Sequence, residues 1–197
     1  MVSSVDTAIS FADSFSHMRI INGMGISLCL SRLLIFASKF IQNPHKHKIA
    51  YMHIGWVIIV FLWIIQFWWE YLMLSGHKQL DVYTYIIDLL YVFGLFFVCV
   101  TITPDEVNEY GDYERYFISR KAWFFSLFIF LNFLEYISEA RFYLASEDYA
   151  EIKTETISLI IETIGIIAAI KINNRKFQFF LIWLIIAGTL SDILIPD

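Results

Sequence analysis

Charge is scarce in this chain: only 17% of its 197 residues are Asp, Glu, Lys or Arg. A soluble domain of this length carries roughly a quarter of its residues charged, enough for a polar shell. The shortage argues against an ordinary water-soluble globule. Cysteine is almost missing. Cys29 and Cys99 each sit inside an apolar block, with no second Cys or His at ligand spacing. That leaves packing as their role, argues against a disulfide or a metal site, and gives no reason to expect a cofactor. Net positive charge is lacking too. The formal charge is −5, which argues against nucleic acid as a partner. The sequence has no His-Glu-x-x-His, no Gly-x-Ser-x-Gly, no phosphate-binding glycine loop and no Cys-x-x-Cys. Each of these would signal a known enzyme chemistry. No nucleophile stands out, so a catalytic role is not expected.

What the chain has is hydrophobic length. Apolar residues make up 58% of it, aromatic residues 18%, and the mean hydropathy is +0.63. Six apolar blocks, near 19–41, 51–73, 82–103, 122–143, 155–171 and 177–195, are each about long enough to cross a bilayer. The expected fold is an all-α polytopic transmembrane bundle of about six spanning helices, forming one domain over 19–197. Residues 1–18 lack the basic start of a signal peptide, and Asp13 and Ser14 break their apolar run. Ile9, Ala12 and Phe15 fall at helical spacing after Asp6, which predicts a short interfacial segment ahead of the domain.

Basic residues set the orientation. Nine of the 14 basic residues cluster after the first, third and fifth blocks: Lys39, Lys46, Lys48, then Arg115, Arg120, Lys121, then Lys171, Arg175, Lys176. Arg19, Lys78, Arg141 and Lys153 fall on the other side. The positive-inside rule makes the three basic loops cytoplasmic and turns both termini outward. The stretch 103–121 is the one long connection. Pro104 ends the preceding span, and Asp105, Glu106, Glu109, Asp112 and Glu114 precede its basic end. It reads either as a solvated connector or as a cytoplasmic docking segment.

Ionisable groups inside spans are costly and face protein or water. Arg32 lies near the middle of span one, Asp88 in the outer half of span three, Glu135 and Glu139 in span four, and Glu162 in span five. Asn132, Glu135 and Glu139 step by three and four and so share a helical face. Glu155, Ser158, Glu162, Gly165 and Ala169 make a second stripe, whose small residues predict close helix approach. Asn22, Gly25, Cys29 and Arg32 make a third. Hydrocarbon offers these faces no partner, so they are expected to meet inside the bundle. Arg32 is then the counter-ion of an acidic site, with Asp88, Asn132, Glu135 and Glu162 as its other members. The competing reading is a network that only locks helices.

Span two is distinctive for His53, Trp56, Trp63, Gln66, Phe67, Trp68 and Trp69. Trp68 and Trp69 suit an aromatic belt at the outer headgroups. Gln66 is expected to bond across helices, and His53, near a helix start, to be solvated. With Glu139, these two are secondary site candidates. Gly23, Gly25, Ser31, Arg32 and Leu33, then His53, Trp56, Gln66, Trp68 and Trp69, then Arg120-Lys121-Ala122-Trp123-Phe124 resemble a family of small bacterial multi-pass membrane proteins with no assigned activity. The resemblance implies a bacterial inner membrane and groups Arg32, His53 and Gln66 into one shared design. It implies no function.

Two functions remain open. One is a small channel or transporter-like protein that passes protons or cations through the acidic site. The other is a non-catalytic sensor, anchor or scaffold coupled to a cytoplasmic partner through 103–121. Either can act as a homo-oligomer.

Overall fold

The computed structural model describes residues 4–45, 48–73 and 81–194; Lys46 and Lys78, used above for orientation, lie outside these. The chain forms six helices and, among the described residues, no strand. They are α1 (Ser4–Gln42), α2 (Tyr51–Met73), α3 (Val82–Ile102), α4 (Tyr113–Ala145), α5 (Tyr149–Lys171) and α6 (Arg175–Leu194). Four stretches are long and apolar enough to cross a membrane: Phe15–Gln42, Tyr51–Trp69, Val82–Ile102 and Tyr113–Ala145. The class is therefore an all-α helical bundle suited to a membrane, with four such helices rather than six. α5 falls short because Glu151, Lys153, Glu155 and Glu162 lie along it.

Helix boundaries follow local chemistry. α1 runs without a break from Ser4 through the rest of the segment expected to be separate at 1–18. α4 begins nine residues earlier than the apolar pattern does. Gly111 adopts φ +84°, a left-handed turn open to glycine. Asp112 then caps the helix, accepting from the Arg115 amide at 2.8 Å. The long connection thus shrinks to 103–112. Asp81 caps α3, accepting from the Thr84 amide and hydroxyl at 2.8 Å each. Its other oxygen pairs with Arg141 of α4 at 2.5 Å.

Consecutive helices alternate in direction, so the described parts of the three basic connections gather at one end of the bundle. α1 packs on α3, α3 on α4 and α4 on α5, while α6 packs chiefly on α2. Glycine permits three of these approaches. A Cβ on Gly25 would collide with Val92 of α3. One on Gly55 would lie 2.9 Å from Ile182 of α6, and one on Gly94 2.8 Å from Leu131 of α4. Cys29 and Cys99 meet across the α1–α3 seam as buried free thiols. Between α2 and α4, Trp56 packs among Phe117, Phe124, Phe125 and Phe128, the nearest ring centroid 4.9 Å away. Outward faces are apolar: Ile41 is 82% and Trp183 71% exposed. Such apolar exposure suits lipid.

Gly25→Leu should force α1 from α3 and cost about 1–3 kcal/mol, the usual range for overpacking. A melting curve in detergent reads this, and pairing the change with Val92→Ala should restore part of the loss. Melting at the wild-type temperature would show that the seam has slack.

Bonds from the Thr84 amide and hydroxyl, followed by Arg141, hold the Asp81 carboxyl down to about 2. A depressed acid stabilises fully above its unfolded value of about 3.9 and loses that contribution as pH falls through its folded value. Asp81→Asn should therefore melt below wild type at neutral pH, with the gap closing between about pH 4 and pH 2. A gap independent of pH would refute the charged cap.

Candidate functional site

The predicted polar residues divide between two places. At the basic end, Arg32 donates from Nε to the Thr103 hydroxyl at 3.0 Å and from Nη2 to the Thr103 carbonyl at 2.7 Å. Its Nη1 meets Asp105 at 2.8 Å. Lys39 donates to the carbonyls of Pro104 and Asp105, each at 3.0 Å. Tyr116 donates to the Thr101 carbonyl at 2.8 Å. Together they close the C-terminus of α3, where carbonyls lack helical partners and cations are favoured. The Arg32 hydrogen bond and charge hold the Asp105 carboxyl below its ordinary value. Arg32 is thus a clamp on the 103–112 connection, and does not join the intramembrane acids as expected. Its side chain extends along α1 toward the basic end.

His53 also departs from expectation. It is fully buried rather than solvated. Its Nε2 lies 2.7 Å from the Ile102 carbonyl, and its ring stacks on Tyr113 at 5.5 Å. Because a carbonyl only accepts, that contact makes Nε2 the protonated nitrogen. Asp88 lies apart from both groups, buried on α3. It and Asn22 interact with Tyr71 of α2. This is an α1–α2–α3 contact.

Glu135, Glu162, Asn132, Gln66 and Glu139 are brought together. They line one cavity of ≈ 500 Å³ between the α4–α5 pair and the α2–α6 pair. Asn132 donates to Glu162 Oε2 at 2.8 Å, and Ser158 donates to Glu162 Oε1 at 3.2 Å. Tyr136 and Thr156 bond across the same helices at 2.9 Å. On α4 the lining residues Phe125, Phe128, Asn132, Glu135 and Glu139 form one stripe with steps of three and four. Along α4 the two glutamates lie away from the basic connections, and Phe125 and Phe128 lie toward them. No Lys, Arg or His lines the cavity among the described residues.

Gly165 was expected to let helices approach. Nothing lies within 4 Å of a Cβ built there, nor of one on Gly188 of α6. Both glycines face the cavity because α6 sits on α2 and leaves α5 to α4.

Toward the basic end, α5 finishes against two donors. Lys121 Nζ donates to the carbonyls of Ala169 and Ile172 at 2.9 and 3.0 Å. Gln178 Nε2 donates to the same two at 3.0 and 3.2 Å. These side chains replace the missing helical partners of α5 and tie α4, α5 and α6 together. Neither was a sequence candidate. Lys121 sat in a basic cluster, whose usual reading is a solvated surface, and Gln178 carried no spacing signal. Glu155 also lines the cavity; its stripe was legible from the sequence, its membership of a site was not.

Comparison of the chain with known protein families, with characterised proteins and with solved structures returns no match.

Arg32→Gln should free the 103–112 connection. Losing charge-assisted bonds of this kind costs about 2 kcal/mol, or about 30-fold in local opening. Hydrogen exchange over 103–112 should accelerate accordingly while the α4–α5 contact keeps its protection. Unchanged exchange would show that Lys39 and Tyr116 suffice.

Proposed function

We propose that this is an integral membrane protein that passes protons or cations through the cavity between α4, α5, α2 and α6. One observation carries the proposal: four carboxyl groups, Glu135, Glu139, Glu155 and Glu162, line one cavity that no basic side chain enters among the described residues. Ionisable groups at membrane depth mark ion paths or proton relays. A cavity of one charge sign attracts the opposite sign.

The reading extends to six spans. α5 has 23 residues and α6 has 20, or about 35 and 30 Å at 1.5 Å per residue. Both match a hydrocarbon core about 30 Å thick. Glu155 and Glu162 of α5 line the cavity, so they lower the helix's mean hydropathy without facing lipid. With the basic connections cytoplasmic, the termini face outward and the acids lie in the outer half. The family resemblance adds a bacterial inner membrane to this reading.

A second reading keeps the protein as a sensor or scaffold. It is favoured by the fixed connection 103–112, where Arg32 and Lys39 hold Asp105 with its side chain 77% exposed. A docking partner would meet an ordered acidic edge there.

Reconstituted in liposomes under a pH step and an applied potential, the wild type should conduct. Glu135→Gln and Glu162→Gln should each lower flux at least about tenfold, as expected for loss of a charge from the path. Arg32→Gln should leave flux in place. Undiminished flux in both glutamate variants would sink the site. Absence of flux in folded wild type, together with a co-purifying partner lost on replacing 103–112 by Gly and Ser, would decide for the scaffold.

A further inference from the structure

We infer that the cation taken by this cavity is organic: an ammonium ion carrying apolar substituents, rather than a bare metal ion. The inference rests on the cavity being the cation site proposed above. Size is the first argument. A volume of ≈ 500 Å³ falls in the range of pockets for small organic ligands, roughly 300–1,000 Å³. A dehydrated monatomic ion would occupy a small corner of it.

Donor geometry is the second. A bare cation stripped of water needs several oxygens converging on one point. Among the described residues, no three His, Cys, Asp or Glu side chains are grouped closely enough to hold a metal ion. The acids instead spread along the wall, with Glu162 oriented by Asn132 and Ser158. Spread charge suits a bulky ion whose own charge is diffuse.

The walls are the third. Trp63 lies against Phe128 with ring centroids 4.0 Å apart, and Phe67 stacks on Tyr91 at 4.7 Å. All four rings line the cavity. Aromatic faces attract alkylammonium groups and also accept their apolar substituents. Trp56, 1% exposed, lines the same space, and its indole N–H has no hydrogen-bond partner among the described residues. The open space beside Gly165 and Gly188 gives a bulky guest room.

An ammonium group arrives either on a free amine or on a lipid headgroup. The carboxylates oppose the phosphate of a headgroup, so the free ion is the better fit.

The test is calorimetric titration of the full-length protein, in non-ionic detergent, with tetrabutylammonium, and with sodium as the comparison. Saturable binding of tetrabutylammonium, at concentrations where sodium gives none, is expected. Glu162→Gln should weaken it about tenfold, the cost of one partly desolvated charge pair. Gly188→Leu should remove it while the melting curve stays at wild type, since the added side chain meets open space. Phosphatidylethanolamine that displaces the probe would support the ammonium class and assign it to a headgroup. Failure to displace would assign it to a free amine. No saturable binding to folded wild type, or equal binding by all variants, overturns the inference. If proton or sodium flux still requires Glu162 in that case, the conducting path stands without the organic ligand. Binding without any flux would keep the ligand class and overturn the path.

Discussion

Hydrocarbon cannot hydrogen-bond, so every polar side chain on a membrane helix must find protein or water. The interior of this bundle is arranged around that constraint. Arg32 finds the end of α3, Lys121 and Gln178 find the end of α5, and Asp88 is buried where α1, α2 and α3 meet. In the first two cases the donors answer the carbonyls that a helix leaves open at its C-terminus. These carbonyls also carry the negative end of the helix dipole, which favours cations. Arg32 and Lys121 are thereby held at one end of the molecule, while Arg141 pairs with Asp81 at the other. What remains inside is acidic, and it collects on the facing stripes of α4 and α5.

Helix pairing then decides that these stripes face a space. α5 is fastened to α4 by Asn132–Glu162 and Tyr136–Thr156. α6 is fastened to α2, where Gly55 lets Ile182 come close. The two pairs meet through the ties around Ala169 and through the rings around Trp56. Away from these they part, and the cavity fills the gap. Its two ends are unlike. One carries the carboxyl and amide groups together with Tyr136; the other is bounded by Trp56, Phe125 and the lysine–glutamine clamp. A cation entering from the acidic end meets the aromatic rings next.

The helical class was readable because apolar blocks of spanning length admit few alternatives. The α4 and α5 stripes were readable as well. Steps of three and four put Asn132, Glu135 and Glu139 on one face, and Ser158 and Glu162 on another, whatever the tertiary fold. The position of Arg32 was not readable. A long side chain can reach toward either end of its helix, and only the fold places the carbonyl of Thr103 beside it. His53 shows the same limit. Near a helix start it resembles a solvated residue until α4 begins early, at Tyr113, and covers it. Gly165 was misread for a different reason. Small residues permit close packing but do not require it, and the partner that would have filled its space packs on α2.

Separation of the base from the acids has a thermodynamic consequence under the proposed function. Had Arg32 reached Glu162, one of the four carboxyl groups would have a fixed counter-charge in place of a proton or cation. Without it, four carboxyl groups line one cavity with no basic side chain among its described lining residues, and like charges in one space disfavour each other's ionised form. A proton on one of them, or a cation between them, relieves that repulsion. The two are then alternatives at one site, so binding of a cation expels protons, and a rise in proton concentration expels the cation. Such linkage is reciprocal by necessity. Within a cavity entered from one side at a time, it is sufficient to couple the movement of a cation in one direction to the movement of protons in the other. A purely structural network has no such obligation, because its charges are already paired. The clamp on Thr103 bears on the cavity in this sense: it holds Arg32 at the basic end, away from the carboxyl groups.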